Sequence, residues 1–448
     1  MKRRDFVKSI GMGAASLSLP QLYTGCTQRP TRPNIIYILA DDLGYAELGS
    51  YGQSQIRTPH LDRMADEGMK FSQHYAGSPV CAPSRCTLLT GLHTGHSYIR
   101  ENDEMRERGD VWNNPEIEGQ RPLPTGTMTL GTLMQEAGYT TAAIGKWGLG
   151  GPTDSGHPND QGFDYWYGYL CQRQAHNYYP THLWRNREKH VLEGNTFFKA
   201  HQRFPQDQDP SERSAYAQYS SKHYAPDLMT QEALRFIHKN QDTPFFLYLA
   251  YPMPHLALQV PEDSLEEYAD EFSESPYLGD RGYLPHPTPR AAYAAMITRM
   301  DRDIGRIFAL LVELGLDENT LVMFSSDNGP TYTGGADTSF FKSAGPLRGL
   351  KGSVYEGGIR VPLIARWPGQ IRAGSTSTHV SAFWDVMPTL CDIAGRDSPR
   401  NTDGTSFSAT LLGKPQPQPN YLYWEFLGYG GQQAVRMGNW KAVRTGLR

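Results

Sequence analysis

Short apolar segments alternate with amphipathic ones along most of the chain, and this alternation limits the possible folds more than any other feature. Asn34–Ala40 is a continuous apolar run, Thr58–Gly68 is amphipathic, and Ala291–Leu314 carries apolar side chains at helical spacing. Strands that alternate with helices favour an α/β domain with a largely parallel sheet. The sequence therefore predicts one large mixed, mostly parallel sheet flanked by helices.

Polar residues stand at or just after the ends of four predicted strands. These strands are Asn34–Ala40, Thr140–Lys146, Phe245–Tyr251 and Thr320–Ser325. The polar residues at their ends are Asp41, Lys146, His255 and Asp327. Because open α/β sheets bind ligands at the carboxyl ends of their strands, we expect these side chains to meet at one edge of the sheet.

The pattern changes after about Arg396, where short strand-like segments follow one another. Asn420–Phe426 and Gln433–Thr445 are typical of antiparallel strands. We therefore divide the chain into an export signal and linker at residues 1–30, a main domain at 31–397 and a small antiparallel C-terminal subdomain at 398–448. The chain stops soon after the last predicted strand, which suggests a truncated C-terminus.

The N-terminus has the pattern of an export signal. Basic residues precede the weakly apolar stretch Ile10–Leu19, and the pair Arg3-Arg4 is typical of twin-arginine signals. Cys26 stands where lipoprotein signals carry their modified cysteine, although a plain cleaved signal with an incidental cysteine explains the same residues. We expect export to the periplasm or cell surface by the export machinery, with membrane contact only through a lipid on Cys26.

Charge and cysteine usage argue against several other classes of protein. The net charge of −4 is close to neutral and no nucleic-acid-binding motif is present, so we expect no nucleic-acid partner. The five cysteines are scattered and form no Cys-x-x-Cys pair, which excludes a zinc ribbon and disfavours a disulfide scaffold. The expected class is a globular, loop-rich enzyme.

The most specific motif is the segment Cys81–Arg85, which reads CAPSR, followed by Leu89–Gly91, which reads LTG. A cysteine at this place is also compatible with a buried structural residue at a helix start. The segment resembles the signature of formylglycine-dependent sulfatases of the alkaline phosphatase superfamily, Cys-x-Pro-Ser-Arg followed by Leu-Thr-Gly. The resemblance extends from about Asn34 to Lys441 and implies an alkaline phosphatase-like fold, with residues 31–397 as the catalytic domain.

In that family a maturation enzyme oxidises the signature cysteine to formylglycine, which implies the same change at Cys81. The aldehyde hydrates to a diol, and one hydroxyl attacks sulfur to form a covalent sulfoenzyme. The other hydroxyl then expels sulfate and restores the aldehyde. The resemblance thus implies a sulfate ester hydrolase with a formylglycine-generating maturation enzyme as a partner.

A set of hard oxygen donors follows two of the predicted strands: Asp41, Asp42, Asp327 and Asn328. Carboxylate and amide oxygens suit Ca²⁺ or Mg²⁺ and do not suit Zn²⁺. On their own, Asp-Asp and Asp-Asn-Gly sequences are more often loop caps or turns. The resemblance to sulfatases implies that the four residues bind one Ca²⁺, with Mg²⁺ as the second choice, and that Cys81 also faces the ion.

The resemblance also implies functional roles for three cations and one histidine: Arg85, Lys146, Lys351 and His255. An anionic transition state is stabilised by fixed positive charge near its oxygens. In the family, the arginine and the lysines bind the sulfate and hold the formylglycine, and the histidine contacts the sulfate and protonates the leaving oxygen. Taken singly, each lysine is equally typical of a solvated surface, and a lone histidine of a structural position.

One position departs from the family pattern. Sulfatases often contain Gly-Lys-Trp-His-Leu-Gly, whereas this chain has Gly148 in place of the histidine. Candidates for the missing imidazole lie in the segment that follows: His157, His176 and His182. His93 and His96, which follow the signature helix, are expected to serve in local packing or to support neighbouring residues.

The predicted substrate is a sulfated sugar. Gly151–His223 and Asp263–Pro289 lack periodicity and are predicted to be long active-site loops. Some side chains of the first segment either line a sugar pocket or only pack the loop: Trp166, Tyr167, Tyr169, Arg173, Tyr178, Tyr179, Trp184 and Arg185. Two other functions stay open, a phosphate or phosphonate ester hydrolase on the same fold and a catalytically silent protein that binds sulfated glycans with Cys81 unmodified.

Overall fold

The computed structural model describes residues 32–102, 114, 116–118 and 120–448. Most of this chain surrounds a sheet of eleven strands. These strands are β1 Asn34–Ala40, β2 Met69–Tyr75, β3 Thr140–Lys146, β4 Tyr165–Tyr169, β5 His182–Arg185, β6 Glu188–Val191, β7 Phe245–Ala250, β8 Thr320–Ser326, β9 Arg360–Arg366, β10 Ser375–Ser377 and β11 Ser381–Ala382. Their order across the sheet is β10-β2-β9-β8-β1-β7-β3-β4-β5-β6, and β11 also pairs with β2.

The centre of this sheet is parallel. Strands β8, β1, β7, β3 and β4 lie side by side, and each neighbouring pair among them is parallel. Strand β9 is antiparallel to both of its neighbours, and β5 is antiparallel to β4 and β6. These pairings confirm the prediction of a large mixed, mostly parallel sheet.

The position of strand β1 in the sheet explains why it is a continuous apolar run. All of its residues are buried. Because successive side chains of a strand point to opposite faces, Ile36 and Ile38 join the apolar core on one face of the sheet, whereas Ile35 and Tyr37 join the core on the other face. A strand that is covered on both faces is therefore a continuous apolar run.

Helices cover both faces of the sheet. They are α1 Pro59–Asp66, α2 Cys81–Thr90, α3 Leu130–Glu136, α4 Ala225–Lys239, α5 Glu262–Leu265, α6 Pro289–Glu313, α7 Thr338–Phe341, α8 Glu356–Ile359, α9 Val386–Ile393 and α10 Ser408–Leu411. Helices α1, α4 and α6 pack into the core that contains Ile36. Helices α2, α3 and α9 pack into the core that contains Ile35. The layered arrangement is that of an α/β domain.

A second sheet of three antiparallel strands lies near the C-terminus: β12 Leu422–Phe426, β13 Gln432–Met437 and β14 Trp440–Thr445. Trp424 packs with Tyr75 and Trp384 in a small apolar core, and its indole N–H donates to the carbonyl of Ala76 at 2.9 Å. This sheet is therefore attached to the end of β2. Residues Arg32–Arg448 form one compact unit, and a boundary at residue 398 stays a prediction.

The prediction of an unbroken loop at Gly151–His223 is wrong, because strands β4, β5 and β6 lie within it. Strands of four or five residues are too short to show a periodicity that identifies them, and β4 consists only of Tyr, Trp and Gly. Gly168 of β4 lies so close to β3 that a Cβ there would stand 1.8 Å from the carbonyl oxygen of Gly145. The pairing of β4 with β3 therefore requires a glycine at position 168, although this glycine weakens the strand pattern in the sequence.

The predicted export signal, including Cys26, lies outside the described residues. Within the part of the chain that the structure describes, every helix is too short or too polar to cross a membrane.

Candidate active site

The carboxyl ends of β1, β3, β7 and β8 lie next to one another because these strands are parallel neighbours. Asp41 directly follows β1, Lys146 ends β3, and Asp327 directly follows β8. Lys146 Nζ lies 2.5 Å from Asp41 Oδ2, and Nε2 of His255, which follows β7, lies 3.6 Å from Asp42 Oδ2. The structure therefore brings the predicted polar residues together at this edge of the sheet.

Cys81 is the first residue of α2 and is 1% exposed. Its Sγ lies 3.3 Å from Asp41 Oδ1 and 3.9 Å from Asp42 Oδ1. Burial, together with the negative charge of Asp41, raises the pKa of the Cys81 thiol. The polypeptide surroundings of this thiol therefore disfavour its thiolate form.

Each buried aspartate of the site is paired with a buried or nearly buried cation. Arg85 of α2 donates from Nε and Nη2 to Asp327 Oδ2, at 3.0 and 2.8 Å. Lys351 donates from Nζ to Asp42 Oδ2 at 2.7 Å. Lys146 and Asp41 form the third pair, at the distance given above. Buried charges are costly unless they are paired, so this arrangement lets three carboxylates share one small interior volume.

The carboxylates of this site have pKa values that diverge. Burial raises the pKa of Asp41, but Lys146 and the other nearby cations outweigh it and hold the pKa well below its ordinary value. Burial and the charge of Asp41 raise the pKa of Asp327 to about 7 in spite of Arg85. Carboxyl groups whose pKa values are driven apart in one site are typical of a functional centre.

The oxygen donors of the site fit a hard divalent cation. Asp41, Asp42, Asp327 and Asn328 are completely buried. Asn328 donates from Nδ2 to Asp42 Oδ1 at 2.7 Å, whereas its Oδ1 is buried and has no hydrogen-bond donor among the described residues. An unsatisfied buried amide oxygen is costly, and a cation bound to it removes that cost. Three carboxylates and one amide oxygen are ligands typical of Ca²⁺ and Mg²⁺.

His255 presents one particular ring nitrogen to this cluster. Nδ1 lies 2.7 Å from the carbonyl oxygen of Leu256 and donates to it, which leaves Nε2 on the side of Asp42. Tyr178 donates its hydroxyl to the carbonyl oxygens of His255 and Pro252, both at 2.6 Å, and so fixes the turn that carries the imidazole. Burial and the neighbouring Lys351 lower the pKa of His255 to about 4.

Gly148 occupies a backbone conformation that a histidine seldom adopts. Its φ of +82° lies in the left-handed region, and a Cβ there would stand 3.5 Å from Gln172. Of the three candidate replacements, His176 stacks on His255 with ring centroids 4.6 Å apart. The other two histidines have partners outside the cluster. Nε2 of His157 lies 3.2 Å from the carbonyl oxygen of Asn186. The ring of His182 packs edge-on against Trp184.

The structure adds residues that the sequence did not indicate. Tyr283 packs edge-on against His255, with centroids 5.9 Å apart, and His201 lies 3.2 Å from His176, measured between Nε2 and Nδ1. Both residues lie in the two aperiodic segments that the sequence predicted to be active-site loops, but no sequence signal singles out these two side chains within them. Together with His176 they build an aromatic wall on one side of His255.

The aromatic residues of the segment after β3 pack the interior and do not form an open sugar pocket. Tyr167, Tyr169, Tyr178 and Tyr179 belong to one of the two large apolar cores, and Trp166 and Trp184 belong to the other. Arg185 donates to Glu232 at 2.7 Å. For the six aromatic residues the packing interpretation is therefore correct, because buried rings of this size contribute more to the cores than to a surface.

His93, His96 and Asp403 form a second cluster of groups able to bind a metal. Nδ1 of His96 lies 2.8 Å from Asp403 Oδ1, and the backbone N–H of His93 donates to Asp403 Oδ2 at 3.0 Å. The two imidazole rings stack with centroids 4.4 Å apart. These contacts tie the loop after α2 to the segment after α9, in agreement with the expected role of the two histidines in packing.

Comparisons with known proteins agree with this geometry. Residues 33–396 match the Sulfatase family, and residues 350–446 match the family described as N-sulphoglucosamine sulphohydrolase, C-terminal. N-acetylgalactosamine-6-sulfatase of Canis lupus familiaris is 32% identical over 93% of this chain and 73% of its own length. Arylsulfatase G of Mus musculus is 31% identical over 97% of this chain and 80% of its own length.

A solved structure extends the similarity to three dimensions. The crystal structure of Ps i-CgsB superposes with a TM-score of 0.72 at 30% identity, and the match covers 93% of this chain and 84% of that one. The same protein in complex with k-i-k-neocarrahexaose superposes with a TM-score of 0.69.

Proposed function

The chain belongs to the sulfatase family of the alkaline phosphatase superfamily and is a sulfuric ester hydrolase, and we propose that it removes sulfate from a sulfated sugar. We further propose that it uses a formylglycine made from Cys81 and one divalent cation, Ca²⁺ before Mg²⁺. The observation that carries the proposal is the burial of Cys81 at a helix start, within 4 Å of two aspartates that are paired with lysines.

Asp41, Asp42, Asp327 and Asn328 would hold the cation, because they supply four buried oxygen-bearing side chains and one of their oxygens lacks a donor. When bound, such a cation polarises the oxygens of a sulfate ester and lowers the pKa of a nearby hydroxyl. The other side chains of the site would bind and orient the sulfate ester.

Arg85 holds neighbouring elements of the site in place through hydrogen bonds. It binds Asp327 through two nitrogens and donates from Nη1 to the carbonyl of Lys146 at 2.6 Å, so that the end of β3 and the start of α2 are fixed relative to each other. Lys146 and Lys351 hold positive charge on either side of Cys81, where the oxygens of a sulfate ester would gain charge during the reaction. Formylglycine at position 81 would supply the nucleophilic oxygen.

His255 is the group best placed to protonate the departing sugar oxygen. Because Nδ1 donates to the carbonyl of Leu256, Nε2 is the nitrogen that faces the cluster. Burial and Lys351 lower the pKa of His255 to about 4, so Nε2 would have to gain its proton when a bound sulfate ester adds negative charge beside the ring. His176 and Tyr283 pack against the ring and restrict its rotation. A sugar alkoxide is a poor leaving group, so a proton delivered at this point is worth about 10²–10⁴-fold in rate.

A sulfated carbohydrate is the proposed substrate because some of the similar proteins are named for a sulfated sugar or were solved with a carbohydrate. One relative is named an N-acetylgalactosamine-6-sulfatase, and the similar crystal structure was solved with k-i-k-neocarrahexaose. A phosphate or phosphonate ester hydrolase is the alternative on the same site. Comparing kcat/KM for 4-nitrophenyl sulfate and 4-nitrophenyl phosphate in one preparation separates the two, and we expect the sulfate to be preferred.

Mass spectrometry of the tryptic peptides tests the proposal most directly. The chain should be produced together with a formylglycine-generating enzyme. Cleavage after Lys70 and Arg85 gives the peptide Phe71–Arg85, which contains only Cys81, whereas Cys86 falls in the next peptide and serves as an internal control. We expect the aldehyde in the first peptide and an intact thiol in the second. An intact Cys81 thiol in protein that cleaves sulfate esters at full rate would overturn the mechanism.

A further inference from the structure

A solvent-exposed tyrosine stands in the loop that joins β12 to β13. Tyr429 is 68% exposed and lies within the sequence Gly428–Gly431, where its own φ is +49°. The left-handed conformation is unusual for a residue with a large side chain. Packing against other aromatic rings does not explain this exposed side chain, since its one ring–ring contact among the described residues is an edge-on contact with Phe426 at 5.6 Å.

The ring of Tyr429 lies directly over backbone that belongs to the active site. A Cβ built on Gly352 would stand 2.4 Å from Cε2 of Tyr429, so the ring covers this glycine. The preceding residue, Lys351, donates from Nζ to Asp42 Oδ2 at 2.7 Å. The backbone N–H of Gly352 donates to Pro79 at 2.8 Å, two residues before Cys81. The exposed ring is therefore placed beside the reacting centre.

A second exposed tyrosine, from another part of the chain, lies near the ring of Tyr429. Tyr332 is 48% exposed and follows Asn328, the amide member of the oxygen cluster, by four residues. Its loop is tied to the site because the backbone N–H of Lys351 donates to the carbonyl of Pro330 at 3.0 Å. Partial burial raises the pKa of Tyr429, Lys351 opposes that shift and Tyr332 adds to it, so both are electrostatic neighbours of the phenol.

We propose that Tyr429, together with Tyr332, forms a stacking subsite for the sugar ring that carries the sulfate ester. This inference rests on the proposed function and names the part of the protein that recognises the sugar. The buried charges next to Cys81 suit the sulfate group, whereas sugar rings present apolar C–H faces that pack on aromatic rings while their hydroxyls stay in water. The three-stranded C-terminal sheet thereby supplies a substrate contact through its first loop.

Kinetics with a sulfated monosaccharide test the subsite. N-acetylgalactosamine 6-sulfate is the first probe, sulfate release is followed by ion chromatography, and inorganic sulfate is used as a competitive inhibitor. Tyr429→Ala should raise KM for the sugar sulfate by about five- to ten-fold, the size expected for one lost aromatic contact. Tyr429→Phe should stay within about two-fold of the wild type, because the ring is kept. Tyr332→Ala should give a smaller increase than Tyr429→Ala.

The inhibition constant of inorganic sulfate separates sugar recognition from damage to the site. It should be the same in Tyr429→Ala and the wild type, because sulfate alone has no ring to stack. Tyr421→Ala is the matched control, since Tyr421 is 56% exposed and lies just before β12. Its KM should not change. An unchanged KM in Tyr429→Ala, or an equal increase in Tyr421→Ala, would overturn the inference.

The same assay distinguishes failure of the subsite from failure of the proposed function. If the wild-type protein cleaves 4-nitrophenyl sulfate but no sulfated monosaccharide in a panel of ring types and sulfate positions, the sugar subsite is wrong and the sulfatase mechanism stands. If protein with a confirmed formylglycine cleaves neither kind of ester, the proposed function is wrong and the subsite falls with it.

Discussion

The molecule contains two clusters of side chains with the chemistry to bind a metal, and they differ in how well the protein satisfies them. At the strand ends, Asp41, Asp42, Cys81 and His255 are buried among cations, and the neighbouring Asn328 keeps an oxygen without a donor in the part of the chain that is described. Around Asp403, by contrast, the polar atoms bond to each other, and the side chain of His96 is exposed.

Ligand type alone therefore does not identify a metal site. His96 has a side chain that is 63% exposed, and His93 uses Nδ1 to accept from the N–H of Gly95 at 3.0 Å. Asp403 already holds two donors in place. A cluster that is complete without an ion has a structural explanation, whereas buried polar atoms without partners require one more component. The following variants test this contrast.

The largest effect is expected from Asp327→Ala. The change removes a buried carboxylate from the oxygen cluster and a partner of Arg85. We expect loss of bound calcium and a fall in kcat/KM of at least about 10²–10³-fold, the size seen when one charge-stabilising group is lost. Calcium content by atomic emission and turnover of a sulfate ester should be measured on the same sample.

Asp327→Asn keeps the volume and an acceptor for Arg85, so it separates the loss of the ion from unfolding. The circular dichroism of this variant should match the wild type, while calcium content and activity fall. Full activity in either variant, or stoichiometric zinc in the wild type, would contradict the assignment of these residues to a hard cation.

His255→Ala is expected to have the next largest effect, and one that depends on the leaving group. Turnover of a sugar sulfate should fall by about 10²–10⁴-fold because the departing oxygen loses its proton donor. Turnover of 4-nitrophenyl sulfate should fall much less, since nitrophenolate leaves without a proton. The formylglycine content must be equal in the preparations compared.

His182→Ala is the control for His255→Ala, because this buried histidine contacts Trp184 and not the cluster. An equal loss on both substrates would mean that His255 binds the sulfate group and does not protonate the leaving oxygen. No loss on either substrate would return His255 to a structural role, and the acid would then be sought at His176 or Lys351.

The smallest functional effect is expected from Asp403→Ala in the second cluster. Calcium content and kcat/KM should stay within about two-fold of the wild type, because the cluster lies outside the site. The free energy of unfolding should fall by about 1–3 kcal/mol, as two hydrogen bonds to a carboxylate are lost. His96→Ala should cost less, since a hydrogen bond from an exposed side chain is worth about 1 kcal/mol or below. Loss of bound metal in Asp403→Ala would remove the contrast between the two clusters.

The sequence predicted the residues at strand ends because their position follows from general rules. Short apolar strands that alternate with helices imply parallel neighbours, and parallel neighbours bring their carboxyl ends to one edge. Lys351 follows no strand end, and its place at the site came from resemblance to a family. The strands β1 and β3 were predicted with the bounds that the structure shows.

Apart from His176, the residues that loops bring to the site were not named from the sequence. Tyr283, His201 and Tyr429 reach the site through loops, and the path of a loop depends on contacts with distant parts of the chain. The aromatic residues of β4 and β5 were equally ambiguous, because a buried ring and a ring in a pocket have the same sequence signal. Burial, which decides between them, is a property of the assembled fold.

The strand order has a consequence for the time at which the chain folds. The central strand β1 pairs with β7 and β8, and β8 begins about 280 residues after β1 ends. At synthesis rates of about 5–20 residues per second, the edge of β1 that pairs with β8 stays unpaired for roughly 14–56 seconds, and the edge that pairs with β7 stays unpaired for a shorter time. During this interval β1 is open to wrong partners and Cys81 is not yet enclosed. The folded chain leaves that side chain 1% exposed, so the enzyme proposed to oxidise Cys81 would have to act before the chain has finished folding.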